Sequence, residues 1–243
     1  LERVTASLGG KAVLYELFSF NPPTLHLYVD LCANSPYLSG ILVNNPGMVD
    51  ELLDSLILDQ PRPADELRGE MAELLRGASD PDPILHSFQD KELVRVGVRD
   101  LLGKDTVRDT TAALSDVAET VLNAAFDLTE PAVREKFGVP RDSRYAVLGM
   151  GKLGGREISY HSDLDLMVVY EADGDTGPPP GAGKRFATTS NIHHFTELTQ
   201  RAIKCLSQTG PLGRLYAVDM RLRPTGKSGS LVVPLCEFRR YFA

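Results

Sequence analysis

The sequence contains no tryptophan, three cysteines and no apolar run approaching the length of a membrane span. Cys32, Cys205 and Cys236 are isolated, odd in number and without C-x-x-C spacing, which excludes a disulfide or zinc framework. They read as reduced, small buried thiols of a cytoplasmic protein. No secretory signal is visible. Positive charge is in deficit, with a net charge of -7. Nucleic acid and anionic membranes need a basic footprint and are excluded as main partners. The basic residues cluster locally, between Arg214 and Lys227 and at Arg239 and Arg240, a patch sized for a nucleotide rather than a polymer. At 243 residues the chain is long enough for a core and for two units. It begins at Leu1 rather than methionine and stops just after an apparent helix, so it reads as a piece of something longer.

The two halves are patterned differently. Asn21-Pro22, Ser35-Pro36 and Asn45-Pro46 each set a capping side chain before a proline, and helically spaced apolar residues follow, so three short helices are expected. Their unequal spacing argues against an internal repeat. Further helices are expected around Ala64 to Arg76, Ile84 to Leu102 and Thr106 to Phe137, the last long enough to act as a spine. The segment from Gly138 to Ser143 reads as a linker, after which the pattern becomes strand, loop, strand. Ala172 to Lys184 is rich in glycine, proline and acid, and is expected to be a mobile loop, either a plain connector or a lid. Helices resume over Thr188 to Ser207 and Pro234 to Phe242. The expected architecture is therefore α+β: a helical domain over 1–138, a linker over 139–143 and a mixed-sheet domain with helices over 144–243.

The chemistry concentrates in the second half. Ser162-Asp163-Leu164-Asp165-Leu166 places two carboxylates two residues apart at the start of a buried-strand pattern, Leu164 to Tyr170. Side chains alternate along a strand, so Asp163 and Asp165 share a face. Carboxylates side by side repel unless a cation lies between them, and clustered hard oxygens suit Mg²⁺. Upstream, the short apolar run Arg144 to Leu148 leads into Gly149-Met150-Gly151-Lys152-Leu153-Gly154-Gly155. Glycines admit phosphate oxygens to backbone N–H groups, and Lys152 adds a point charge for the same anion. Downstream, Leu215 to Arg223 alternates again, with Asp219, Arg221 and Arg223 on one face and Val218, Met220 and Leu222 on the other. Together these are the parts of a nucleotidyl-transfer site.

Other readings are weaker. Gly149-x-Gly151-x-x-Gly154 after an apolar run, with Glu171 downstream, is a literal dinucleotide fingerprint. The seven residues from Arg156 to Ser162 are too few for the crossover helix that a Rossmann unit requires. Gly226-Lys227-Ser228 resembles the end of a P-loop, but Arg221 stands where the earlier glycine belongs. His193 and His194 are adjacent on a helix and so do not share a face, which argues against a metal pair. His161 lies beside the carboxylates and is the better candidate for proton transfer, with a spectator role as the alternative.

Gly149 to Glu157, Tyr160 to Leu166 and Val218 to Pro224 together resemble the glutamine synthetase adenylyltransferase family, bifunctional enzymes with two nucleotidyltransferase domains in one chain. The first half is similar too, in Asn21 to Leu25, Leu31 to Pro36 and Asn45 to Asp54, so the resemblance covers nearly the whole chain. The segment Leu31-Cys32-x-x-Ser35-Pro36 and the tyrosine and leucine of Tyr160-x-Ser162-Asp163-Leu164-Asp165 resemble the second, adenylylating half. Ile158-Ser159 and His161 depart from the family's usual residues. The resemblance implies a polymerase-beta-like mixed sheet and transfer of AMP from ATP to a tyrosine of glutamine synthetase, regulating nitrogen assimilation. It implies two Mg²⁺ held by Asp163, Asp165 and Asp219, with Asp219 alternatively the general base. The nucleotide falls to Gly149, Gly151, Lys152, Gly154, Gly155, Ser162, Arg221 and Arg223. A PII-type signalling protein and glutamine are the effectors it implies, although no residue locates them. The rival activities are phosphorolytic removal of AMP from the same tyrosine and a non-catalytic nucleotide-binding module. In the family, sequence like Pro234 to Tyr241 continues into further helices. The domain is therefore expected to be incomplete, with the face of Val218, Met220 and Leu222 partly uncovered and weak Mg-ATP binding by these residues alone.

Overall fold

Ser35 shows how a helix starts in this chain. Its side chain accepts a hydrogen bond from the Leu38 N–H at 3.2 Å, and Pro36 tolerates the first helical position because its missing N–H has no partner there. The resulting helix, α2 (Pro36–Asn44), follows α1 (Pro22–Asn34). In the computed structural model residues 16, 18–48, 61–181, 186–224 and 226–242 are described. Asn21 precedes α1 without a capping side-chain bond. Asn45-Pro46 opens only a 3-10 turn, Pro46–Met48. The Asn45 amide instead donates to Asp90 at 2.8 Å. The rest of the third expected helix lies outside the described residues.

The chain divides into two compact units, 1–117 and 118–243. The boundary falls inside a single helix, α5 (Val107–Phe137). In the first unit α1, α2 and α3 (Ala64–Leu75) pack against α4 (Asp82–Leu101). Leu27, Leu31, Leu42, Leu85, Phe88 and Val94 are buried in it. The Leu38 side chain packs directly over Gly97, into the space a Cβ would occupy. Glu92 is buried but accepts from Arg62 at 2.7 Å and Arg95 at 2.8 Å, and Arg99 donates from Nε and Nη2 to the two oxygens of Asp105 at 2.7 and 2.6 Å. Such pairing is what keeps buried charge tolerable.

The second unit is built on β3 (Leu164–Tyr170), whose residues are buried except for the half-buried Asp165. β2 (Tyr145–Gly149) pairs antiparallel with it, Tyr145 opposite Tyr170 and Gly149 opposite Leu166. Its other edge is shared. β5 (Val218–Asp219) runs parallel to its start, and β6 (Val232–Pro234) parallel to its end. The fold is thus α+β with a mixed sheet. Phe195 of α7 (Asn191–Ser207) covers one face, packing against Tyr145 and Tyr170 at ring distances of 5.5 Å. On the other face Met167, Val169 and Val233 are covered by Leu235 and Phe238 of α8 (Leu235–Phe242). That second face also carries Asp165, two residues before Met167.

Several expectations change. Leu215 to Arg223 is not one strand: only Val218 and Asp219 pair, because the rest of that β3 edge is taken by β6. Met220 is buried while Leu222 is exposed, so the expected apolar face does not persist. The Gly149 to Gly155 stretch is not all loop, since Gly151–Gly154 closes one helical turn, α6. The segment expected to be a mobile loop is pinned at its start. β4 (Thr176–Gly177) pairs with β1 (Val139–Pro140), which lies within the expected linker. The Thr176 hydroxyl donates to the Phe137 carbonyl at 2.7 Å and accepts from the Thr189 N–H at 3.0 Å. Residues 182–185 lie outside the described residues. The helix expected from Thr188 begins at Asn191 because Ser190 caps it, accepting from the His193 N–H.

Candidate functional site

The strand-to-helix turn after β2 brings backbone and carboxylate together. Met150 N–H donates to the Asp165 carbonyl at 2.8 Å, extending the β2–β3 ladder by one pair. The chain then turns at Gly151, whose φ of +50° lies in the left-handed region that a side chain disfavours. A Cβ on Gly151 would also collide with the Asp165 carboxylate, and one on Gly154 with the Gly149 carbonyl. Two of the motif's glycines are therefore packing requirements. The leading N–H groups of a one-turn helix find no carbonyl within it, and here they lie in the turn that touches Asp165. Lys152 is exposed on that turn.

Asp163, exposed, and Asp165, half-buried, stand at the start of β3. The Leu164 N–H donates to the Ala217 carbonyl at 2.8 Å, which aligns β5 so that Asp165 and Asp219 are register partners. Opposed residues of neighbouring strands project from the same face, so the carboxylates of Asp165 and Asp219 are neighbours. Arg221 then takes both oxygens of Asp219: its backbone N–H donates to Oδ1 at 2.8 Å and its Nε to Oδ2 at 2.6 Å, with Nη2 also on Oδ2. The first of these bonds makes an Asx turn, which carries the chain out of the sheet. The Arg221 guanidinium holds its proton more firmly than usual, chiefly through the hydrogen bond and charge of Asp219, with the charges of Asp165 and Asp163 adding to the effect.

Two other residues expected at the site are engaged locally. The Ser162 hydroxyl is held in a local turn, accepting from the Ser159 N–H at 3.0 Å and bonded to the Ser159 hydroxyl at 2.8 Å. Arg223, half-buried, turns its guanidinium to backbone, donating to the Met220 carbonyl and to the Gly229 carbonyl at 3.5 Å. His193 packs edge-on against Phe137 at 5.1 Å. His194 is 1 % exposed. Its pKa is lowered to about 4, first by burial and then by Arg134 and His193, against a bond to the Gly138 backbone. An open groove of about 340 Å³ lined by Tyr145, Ala146, Val169, Tyr170 and Leu235 lies at the end of β3 away from the aspartates.

The sequence reading missed the Arg221–Asp219 pairing. Its signal was present, an aspartate two residues before another residue's N–H, but strand alternation was the simpler pattern and concealed it. It also missed Arg156. This residue follows the glycine turn with a φ of +56° and pairs with Glu119 of α5 at 3.7 Å.

Asp163, Asp165 and Asp219 supply hard oxygen donors of the kind that Mg²⁺ takes. In the arrangement seen, Asp219 is engaged by Arg221, and among the described residues no group of three or more His, Cys, Asp or Glu side chains is gathered around a metal position. The donor chemistry fits the ion. The fit of all three donors depends on Asp219 leaving Arg221.

A family model described as glutamate-ammonia ligase adenylyltransferase matches residues 25–243. Among individual relatives, the bifunctional glutamine synthetase adenylyltransferase/adenylyl-removing enzyme of Thioalkalivibrio sulfidiphilus is 32% identical over 254 residues, covering 99% of this chain and 26% of its own length. The enzyme of the same name from Pasteurella multocida is 34% identical over 236 residues, covering 93% of this chain and 24% of its own. That of Rhizobium meliloti is 32% identical over 231 residues, with 94% and 23% covered. The chain thus spans about a quarter of the length of the curated relatives it matches.

Proposed function

From a chain that belongs to the glutamate-ammonia ligase adenylyltransferase family, we infer a nucleotidyltransferase that moves AMP from ATP to a tyrosine of glutamine synthetase. It corresponds to the second, adenylylating half of the longer relatives and regulates nitrogen assimilation in the cytoplasm. The catalytic unit of this reading is a polymerase-beta-like domain over 144–243, joined through 139–143 to a helical domain over 1–138. The observation that carries it is the register of Asp165 opposite Asp219, beneath the tight Gly151 turn.

In the reaction the tyrosyl oxygen attacks the α-phosphorus, the bond from that phosphorus to the bridging oxygen breaks, and pyrophosphate leaves. Mg²⁺, as one or two ions bound through Asp163, Asp165 and Asp219, would supply charge neutralisation at the phosphates. The chain's own groups do the rest. Lys152 and the N–H groups of the Gly149 to Gly155 turn, with Ser162, hold the triphosphate. Arg221, 64% exposed in its side chain, reaches the charge that develops on the leaving group. Arg223, bonded to the Met220 and Gly229 carbonyls, is engaged by the backbone and takes no part in holding the nucleotide. The phenol proton goes to a carboxylate; in the alternative in which Asp219 is that base rather than a metal donor, it accepts the proton once Arg221 has released one of its oxygens.

The test is to mix the protein, Mg²⁺ and α-labelled ATP with unmodified glutamine synthetase. Label on a tyrosine supports the proposal. Release of label from adenylylated glutamine synthetase on addition of phosphate, without forward transfer, assigns the adenylyl-removing direction instead, an activity that the relatives' name also carries. Glutamine and a PII-type protein, added to the same assay, test the effectors of this reading.

A further inference from the structure

Asp165 and Asp219 are register partners on one face of the sheet, with Asp163 just before β3, yet Asp219 is satisfied by its own neighbour. Arg221 covers both oxygens of Asp219, and its charge acts on Asp163 and Asp165 as well. The two partners differ in freedom: the Asp219 side chain is 17% exposed and is fixed by the β5 register, whereas the Arg221 side chain is 64% exposed. An exposed arginine is held only weakly on its partner, so it can be drawn off by a stronger anion. A triphosphate is such an anion, and guanidinium matches its oxygens bidentately.

We propose that Arg221 is the resident counter-ion of the aspartate cluster, occupying Asp219 in the free protein and transferring to the phosphates when nucleotide enters, so that Asp219 is released at that moment. Arg221 is thereby a positioning residue that keeps the cluster from filling with bare cation and couples metal binding to nucleotide binding. Arg223, two residues on, has no such part, because its guanidinium is bound to backbone carbonyls. The inference rests on the nucleotidyl-transfer reading for the identity of the anion, but its first consequence concerns metal alone.

The experiment titrates Mn²⁺ into the full chain without nucleotide, following the loss of free-ion electron spin resonance. Removal of an exposed charge-paired competitor should raise metal affinity about fivefold. That gain is expected for Arg221→Gln and is expected to be absent for Arg223→Gln, which removes an equal charge close by. Arg221→Lys keeps the charge but loses the fork, and should lie between wild type and Arg221→Gln. Asp219→Asn should abolish the gain in the double variant. With ATP present the order reverses, Arg221→Gln binding Mn-ATP less tightly than wild type. Unchanged or weaker Mn²⁺ binding by Arg221→Gln, or an equal gain from Arg223→Gln, overturns the proposal. If wild type fails to bind Mn-ATP or transfer AMP while the Arg221→Gln gain in bare metal persists, the nucleotidyl-transfer reading fails and the counter-ion role stands.

Discussion

At Asp219 a carboxylate can be satisfied by its own chain or by a cation, and the contest is settled by residues two positions apart. The same economy governs Gly151, where one missing Cβ makes room both for a left-handed turn and for the Asp165 carboxylate. Gly151→Ala should therefore cost about 1–2 kcal/mol for the backbone alone. It should also displace Asp165, so that AMP transfer falls by more than the loss of stability explains. Thermal unfolding and turnover measured on one preparation check this, and a variant with wild-type turnover refutes the contact as functional. Asp163→Ala and Asp165→Ala should each lower AMP transfer by at least about a hundredfold with little change in the fold. Retention of most activity by either removes that residue from the site. The place of Asp165 near the start of β3 was legible in the sequence, because alternation along a strand depends only on chain geometry. Arg221 was assigned to phosphate on the same alternation, and its hold on Asp219 was not legible, because nothing local to Leu215 to Arg223 tells where pairing stops.

Among the elements, helices were read closely and short strands poorly. α3, α4 and α5 begin and end within about two residues of expectation, because caps, prolines and apolar spacing act within each segment. β1 and β4 are two residues each and have no periodicity to read. Their pairing makes an ordered clasp of what looked like linker and loop. Thr176 is its centre, 1% exposed, and its hydroxyl serves Phe137 and Thr189 together. Thr176→Val keeps the shape but leaves both backbone groups unsatisfied, at an expected cost of about 1–3 kcal/mol in chemical denaturation. A change within about 0.5 kcal/mol would show that the clasp is held by its ladder alone.

For the molecule as a whole, one buried group makes stability depend on pH. His194 sits 1% exposed with a pKa lowered to about 4 by burial and by the charges of Arg134 and His193. The unfolded chain, titrating near 6.5, binds the proton more readily than the fold does. Stability from this group is complete above about pH 6.5 and is lost as pH falls towards 4, by about 3 kcal/mol in all. His194→Gln should flatten that part of the stability profile between pH 4 and 6.5, measured by denaturant midpoint. A slope that persists unchanged assigns it to carboxylates instead. Sequence by itself determined the helices, the β2 and β3 strands, the two-residue spacing of Asp163 and Asp165 and the family, because caps, periodicity and motif spacing are properties of contiguous residues. Only the tertiary structure decided that β3 divides its edge between β5 and β6, that the expected linker and loop pair with each other, and that Arg221 rather than solvent meets Asp219. Those outcomes depend on which distant segments compete for the same hydrogen-bonding edge or the same charge, a competition that has no signature in any one stretch of chain.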